Sequence, residues 1–499
     1  MTKFGSVAGV ILAGIGLALA FPEPDIAPLA WVTIAPLLVA TRRVRAARAF
    51  ALGFLFGLGF FGLLLYWISI VGWIAWGVLV VMSSLFLGGF SALWNVTATR
   101  LPLWARVLGA ASLWVVVEYA RMRVPVVGFT WGQLAQSQHN VTWILRVAGL
   151  GGSWAVAFLL VAINSLLAET WVSARESATA RRVAAPIFVA AALLLVPFGI
   201  PELEANGIAI RAAIVQGNVP RDFEGTVLDK ELEIIASHER LTKELGSQAG
   251  AIDLVVWPES SLGLDIESNT AAADSVRAAA RSIDAPMIVG GNLDAGPDRY
   301  KVMAFHVAAD GSVVDRYQKT HLVPFGEYVP ARSSLEWLPM LDQVPRDAIA
   351  GTEGTIFTVA GGEVAPVISF EGDFGSLVRT RIDVGGRLLV VATNTSTWEE
   401  TWASAQHVAF SQVRAAENGV WVIHAALSGI SAFIAPDGTV VESTELWTPT
   451  TATTELRFAT APSFYARTGD WLPALCLLVS IAAMGRAFAS RRSDRNAVG

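Results

Sequence analysis

The sequence predicts two architectures in one chain: a polytopic α-helical membrane domain and an extramembrane α/β domain. Three observations carry this prediction. Of 499 residues, 54% are hydrophobic and only 16% are charged, against about 25% charged in an ordinary soluble domain, and the mean hydropathy is +0.52. The apolar content is also uneven: residues 1–201 form a series of hydrophobic runs, 202–469 have a soluble texture, and 470–489 are apolar again. Within the middle region, short β-branched runs alternate with helical stretches, as in α/β folds.

Eight candidate spans fall at 4–21, 26–41, 48–69, 71–97, 103–121, 147–170, 184–200 and 470–489. Most reach or approach the ~20 residues that cross a hydrocarbon core of about 30 Å. The second is short and holds Pro28 and Pro36, which leaves a re-entrant segment as its alternative. Arginine placement favours a crossing, because cytoplasmic connections are enriched in Lys and Arg. With the N-terminus inside, the inner connections hold Lys3, the Arg42–Arg48 cluster, Arg100 and Arg106, Arg175 to Arg182, and the arginines from Arg486 onward. The outer short connections hold only Arg121, Arg123 and Arg146. The expected division is therefore 1–201 with seven membrane helices, 202–469 outside the membrane, and 470–499 as an eighth helix and cytoplasmic tail. Ala18-Leu19-Ala20 has the look of a signal-peptide cleavage site, but seven further spans to insert favour an uncleaved first helix. The connection 122–146, with Gly128-Phe129-Thr130-Trp131, reads either as an interfacial aromatic belt or as part of a substrate entrance.

From Ile208 the strands are expected at Ile208–Gln216, Leu254–Trp257, Met287–Gly290, Val302–Ala308, Val364–Phe370, Leu388–Ala392, Trp421–Ala425 and Ser431–Ile434. Helical stretches are expected at Asp222–Gln248, Ala271–Ile283, Gly372–Asp383 and Trp402–Gly419. Together they suggest a two-sheet layered domain, not wholly parallel.

Three segments place reactive side chains at strand ends, where α/β folds keep their chemistry. Leu254 to Glu259 is a buried strand ended by Pro258 that delivers a carboxylate. Tyr317 to Pro330 is rigid and aromatic and carries Lys319 and Glu327. Pro366 to Asp373 is a strand turning into a helix with Ser369 at the bend and Glu371 after it. Only five of the 36 basic residues are lysine, so Lys319 suggests a place for a compact ammonium rather than a planar guanidinium. Structural readings stand beside these: a surface salt bridge for Lys319, a helix-capping carboxylate for Glu259, and an N-cap for Ser369.

The composition also excludes chemistry. Cys476 is the single cysteine, so there is no internal disulfide and no multi-cysteine metal site. The six histidines contain no H-E-x-x-H, and there is no P-loop or G-x-G-x-x-G element. No metal and no cofactor is therefore expected. A net charge of −6 gives no pull toward nucleic acid.

These segments, in this order, resemble the carbon–nitrogen hydrolase (nitrilase) superfamily, and the whole chain resembles the apolipoprotein N-acyltransferase family within it. The resemblance rests on Phe21-Pro22, Leu29-Ala30-Trp31 and Gly128-Phe129 with Trp131 in the membrane part. In the domain it rests on Val215-Gln216-Gly217-Asn218, the WPE element at Glu259, the stretch HLVPFGEYVP at 321–330, Thr393-Asn394 with Trp398, Gln406-His407, and Arg414 to Gly419. It implies an αββα nitrilase-like domain, with Glu259 as general base, Lys319 as the oxyanion-stabilising lysine, and Glu327 and Glu371 as supporting carboxylates. Trp131 and Trp398 become substrate-contacting candidates. The chain departs from the family where Cys-Tyr-Glu is expected and Ser369-Phe370-Glu371 stands, and where Val420 and His424 replace arginines.

What the resemblance implies is a ping-pong transfer of a fatty acyl chain from a membrane phospholipid to the α-amino group of diacylglyceryl-cysteine in apolipoproteins. It would take place in the cytoplasmic membrane of a bacterium, on its extracytoplasmic side, in a monomer. With serine as nucleophile two other readings stay open. One is a catalytically silent relative that binds lipid or lipoprotein, and the other is a different amide- or ester-directed reaction.

Overall fold

A computed structural model describes residues 3–124, 128–176, 179–248, 250–335, 341 and 344–496. Residues 125–127 of the 122–146 connection and 497–499 of the tail lie outside the described residues, as do the side chains of Lys3, Arg491, Arg492 and Arg495. The chain divides into two compact units, Met1–Pro201 with Thr468–Gly499, and Glu202–Arg467.

In the first unit, six described helical segments are long and apolar enough to cross a membrane: Ala46–Leu64, Trp73–Thr97, Leu103–Arg121, Ser153–Arg175, Ala180–Gly199 and Trp471–Ser490. The remaining two expected spans are shorter apolar helices, Val7–Ala18 and Ala27–Thr41. The second of these is divided, a 3-10 turn at Ala27–Trp31 preceding the α-helix Ala35–Thr41, with a proline near the start of each piece. Proline lacks the N–H that would continue the ladder and is best tolerated in a first turn. The break is sealed by Asn164 of Ser153–Arg175. Its carbonyl accepts from the Ile34 and Ala35 N–H groups at 3.0 and 2.9 Å, and its amide donates to Ala30 O at 2.9 Å. Glu169 on the same helix is buried and pairs with Arg42 at 2.8 Å and Arg106 at 2.6 Å.

The second unit holds two sheets. The first contains β1 (Ala209–Gln216), β2 (Leu254–Leu262), β3 (Met287–Asp294), β4 (Arg299–Val307), β5 (Val313–Gln318), β6 (Asp347–Ala348) and β13 (Thr450–Arg457), in the order β13-β1-β2-β3-β4-β5 with β6 on β4. The second contains β7 (Phe357–Val359), β8 (Gly362–Ile368), β9 (Leu388–Thr393), β10 (Val422–Ala426), β11 (Ala432–Ile434) and β12 (Val440–Ser443), in the order β12-β11-β10-β9-β8-β7. The strand pairs β1–β2, β2–β3, β8–β9 and β9–β10 are parallel and the outer pairings mostly antiparallel, so the sheets are mixed, as expected.

Alternation of side chains along each strand sorts the core. Leu254 and Val256 of β2 join Ile368, Val390 and Ile423 of the other sheet in one buried cluster. Their neighbours Val255 and Trp257 pack with residues of the helices Val227–Gln248 and Thr270–Ile283. Ala365 and Val367 of β8 pack on the opposite side with Val378 and Ala415, from the helices Gly375–Asp383 and Ala403–Asn418.

Two expectations are corrected. The strand expected to stop at Trp257 runs on to Leu262, so Glu259 lies within β2 and not past its end. Pairing with β3 is interrupted between Trp257 and Leu262, and Ser260 has φ +61°, so Pro258 and Glu259 sit in a bulge, where a missing N–H is tolerated. The expected strand Val364–Phe370 ends at Ile368, and Ser369 opens a 3-10 turn. Strands β5, β6, β7, β12 and β13 were not foreseen.

Candidate active site

Glu259, Lys319, Glu327, Ser369 and Glu371 come from three segments, Glu259 standing 60 positions before Lys319 and Glu327 standing 42 before Ser369, and the fold brings them together. Glu259 reaches its place through the β2 bulge. That bulge lies against Gly290 of β3, where a Cβ would stand 2.3 Å from Pro258 O and 2.7 Å from Glu259 Cα. A side chain at 290 would push the carboxylate out of position.

Lys319 follows β5 directly and is fully buried. Its ammonium donates to Glu259 Oε1 at 3.0 Å and to Glu327 Oε1 at 2.5 Å. Burial by itself would favour loss of its proton, but Glu259 and Glu327 outweigh that and raise its pKa above the ordinary lysine value. Burial also raises the Glu259 carboxyl, against the pull of Lys319. Two carboxylates thus share one ammonium, and burial draws Glu259 toward its protonated form. The other oxygens are committed too: Glu259 Oε2 accepts from the Asn394 N–H at 3.0 Å, and Glu327 Oε2 from the Val323 N–H at 2.7 Å. Lys319 is no surface salt bridge.

Ser369 is half-buried with φ +49°, a left-handed conformation that costs roughly 1–3 kcal/mol in a residue with a Cβ. Its Oγ accepts from Thr393 Oγ1 at 3.1 Å. The strain is opposed by Glu371, which is fully buried. Glu371 Oε1 accepts from Tyr317 OH, Thr320 N and Thr320 Oγ1, each at 2.7 Å, and from His321 N at 3.0 Å. Its Oε2 accepts from Ile368 N at 2.8 Å. One carboxylate therefore ties the Ser369 turn to the segment carrying Lys319, and Tyr317, its own hydroxyl pKa raised by burial and by Glu371, stays a donor. The N-cap position of that turn is Ile368, and Ser369 is its first residue.

The link between the two halves is Thr393-Asn394 at the end of β9, the Thr393 hydroxyl touching Ser369 and the Asn394 N–H touching Glu259. The individual roles of Thr393, Asn394, Tyr317 and Thr320 were not foreseen. Thr393-Asn394 left a sequence signal as part of the family resemblance, and Tyr317 and Thr320 lie in the segment 317–330 singled out for Lys319 and Glu327. Trp398 is half-buried in the turn Ser396–Trp398 just beyond Asn394. Trp131 is in the other unit, buried and stacked on Phe129 at 4.8 Å with Trp67 at 5.4 Å. Cys476 is buried in the helix Trp471–Asn496 of that other unit, and the side chain at the bend is the hydroxyl of Ser369.

Comparison with known proteins agrees along nearly the whole length. Residues 13–166 match the profile of the Apolipoprotein N-acyltransferase N-terminal domain, and residues 211–465 match that of the Carbon-nitrogen hydrolase family. The Apolipoprotein N-acyltransferase of Geobacter metallireducens is 32% identical over 501 residues, covering 97% of this chain and 95% of its own. That of Gloeobacter violaceus is 31% identical, covering 98% and 96%, and that of Mycolicibacterium smegmatis 31%, covering 97% and 85%.

Proposed function

The chain belongs to the apolipoprotein N-acyltransferase family of the carbon–nitrogen hydrolase superfamily, and from that premise we propose that it moves a fatty acyl chain from a membrane phospholipid to the N-terminal α-amino group of diacylglyceryl-cysteine in apolipoproteins. The observation that carries this is the joining of the buried Glu259–Lys319–Glu327 cluster to the strained Ser369 turn through Thr393 and Asn394.

In the first half-reaction Ser369 Oγ bonds to the ester carbonyl carbon of the phospholipid. Because Thr393 donates to Ser369 Oγ, the serine proton is left for Glu259 to take. Lys319, with a backbone N–H, holds the oxyanion. The ester C–O bond then breaks, the lysophospholipid oxygen takes the proton from Glu259, and an acyl-serine ester remains. In the second half-reaction the α-amino nitrogen attacks that ester, an amide forms, and Ser369 Oγ leaves as the hydroxyl. Glu327 and Glu371 hold Lys319 and the turn in place. Trp398, beside Asn394, contacts the incoming substrate in its own unit, and Trp131 is a substrate-contacting residue of the membrane unit. No metal or cofactor takes part, and the protein acts as a monomer.

The direct test is incubation of the purified full chain with phospholipid and a diacylglyceryl lipopeptide. A lipopeptide mass increased by one acyl chain is expected, together with an acyl adduct mapped to Ser369. Phospholipid-independent acylation, or no mass change with folded protein, counts against the reading.

The finer architecture belongs to the same proposal. The two sheets with the helices on their outer sides form an αββα sandwich spanning 202–469. Val7–Ala18 and Ala27–Thr41 are short crossings that complete eight spans, seven within 1–201 and one in 470–499. Both termini are cytoplasmic and the sandwich lies outside the cytoplasmic membrane. A cysteine introduced by Gly311→Cys should react with a membrane-impermeant maleimide in intact cells, and one introduced by Gly499→Cys should not; the reverse labelling rejects this topology.

A further inference from the structure

The helix Ala403–Asn418 is buried at every residue but Ala405, yet it carries His407, Ser411, Arg414 and Asn418 at i, i+4, i+7 and i+11, which places them on one face. Polar and charged groups inside a domain are costly unless paired, and apolar residues usually do as well in their place. Here the stripe meets the turn that begins at Ser369. Asp373, the last residue of that turn, has no solvent exposure. Its Oδ1 lies 3.3 Å from His407 Nε2, and neither of its oxygens accepts a regular hydrogen bond from the described residues. Burial raises the Asp373 carboxyl and His407 opposes that rise. Two residues further on, Gly375 is bare because a Cβ there would stand 1.8 Å from Arg414 NH1. The same guanidinium pairs with Glu417 at 2.9 Å. Ser411 Oγ meets His424 Nδ1 at 2.8 Å, and the His424 ring lies 5.3 Å from that of His407. Glu371 thus ties the Ser369 turn to the segment 317–321, while Asp373 ties it to the helix behind.

We propose that Asp373 and His407 form a buried positioning pair that holds the 369–373 turn against the Ala403–Asn418 helix and thereby keeps the Ser369 hydroxyl where it can attack. The inference rests on Ser369 being the acyl-accepting residue. It assigns no contact with substrate to either partner. It places a reason for the polar stripe in the strained backbone at Ser369, which needs anchors on both sides.

Two readouts on the full chain test it. In lipopeptide N-acylation, Asp373→Asn and His407→Gln should each lower kcat at least tenfold and leave KM for phospholipid within twofold. The double variant should be no slower than the slower single, and Ser411→Ala, on the same stripe, should stay within twofold of wild type. In a Ser369→Cys background, the rate of chloroacetamide alkylation at position 369, mapped by peptide mass spectrometry, should fall at least fivefold with Asp373→Asn. Unchanged kcat and alkylation in both single variants, or fully independent losses in the double, overturn the pair. Alkylation that falls where no form of the protein acylates a lipopeptide upholds the pair and rejects the proposed function instead. Where a single variant melts early, the reciprocal exchange Asp373→His with His407→Asp decides: recovery of activity to within threefold of wild type supports the pair, and its absence overturns it.

Discussion

Ser369→Ala should reduce lipoprotein N-acylation by on the order of 10³-fold or more, and Ser369→Cys should raise it above wild type. Alanine keeps the turn and the Glu371 anchor but leaves no atom at the bend to form the acyl intermediate. A thiol with a pKa of about 8.5 yields its proton to a carboxylate far more readily than a hydroxyl does, and Glu259 is already drawn toward the protonated state by burial. A gain of roughly tenfold with cysteine is the expected size, since the better nucleophile enters an otherwise unaltered site. The measurement is complementation of a strain depleted of its own N-acyltransferase, together with initial rates on purified protein. Alanine as active as wild type removes Ser369 from the mechanism. Inactivity of wild type and of both variants, with normal folding, favours the silent lipid-binding reading.

Lys319 variants should fail in stability and in activity together. Lys319→Met leaves Glu259 and Glu327 facing each other in a buried site without the ammonium they share. Breaking such a pairing costs about 3–5 kcal/mol. The oxyanion also loses its cation, a loss of roughly 10²–10³ in kcat. Lys319→Arg keeps the charge but should still abolish turnover, because a guanidinium fork cannot occupy the space of an ammonium between two carboxylates at 3.0 and 2.5 Å. Adding Glu327→Gln to Lys319→Met should recover part of the melting temperature, by removing one unpaired charge, and none of the activity. Near-wild-type rates for Lys319→Arg would show that the lysine is only structural, and failure of the double variant to regain stability would show that charge burial is not what the lysine relieves.

Local pattern made most of the fold legible. Helix Leu103–Arg121 and strand β1 fall within a residue of where hydrophobic runs place them, because each is set by its own apolar periodicity. Strands β5, β12 and β13 escaped for the converse reason. Their residues are Thr-, Asp-, Arg- and Glu-rich and partly exposed, so no alternation marks them. β13 becomes a strand by pairing with β1, from Ala209–Arg457 to Gln216–Thr450, across more than 230 residues of chain. The missing length in the second membrane helix follows from prolines whose effect depends on a partner, since Asn164 on a distant helix satisfies the break between 31 and 35.

By itself the sequence determined the class of the chain, the segments that carry Glu259, Lys319 and Ser369, and the family whose order they follow. Those features depend on residue type and local spacing. Only the tertiary structure decided how the residues meet: Glu259 on a bulge that Gly290 makes room for, Lys319 between two carboxylates, Glu371 accepting from Tyr317, Thr320 and His321, and Asp373 turned toward His407. Each of these contacts joins residues between 8 and 60 positions apart, and most join different secondary-structure elements. Burial then sets their protonation, because the cost of a charge depends on what surrounds it and not on its neighbours in sequence.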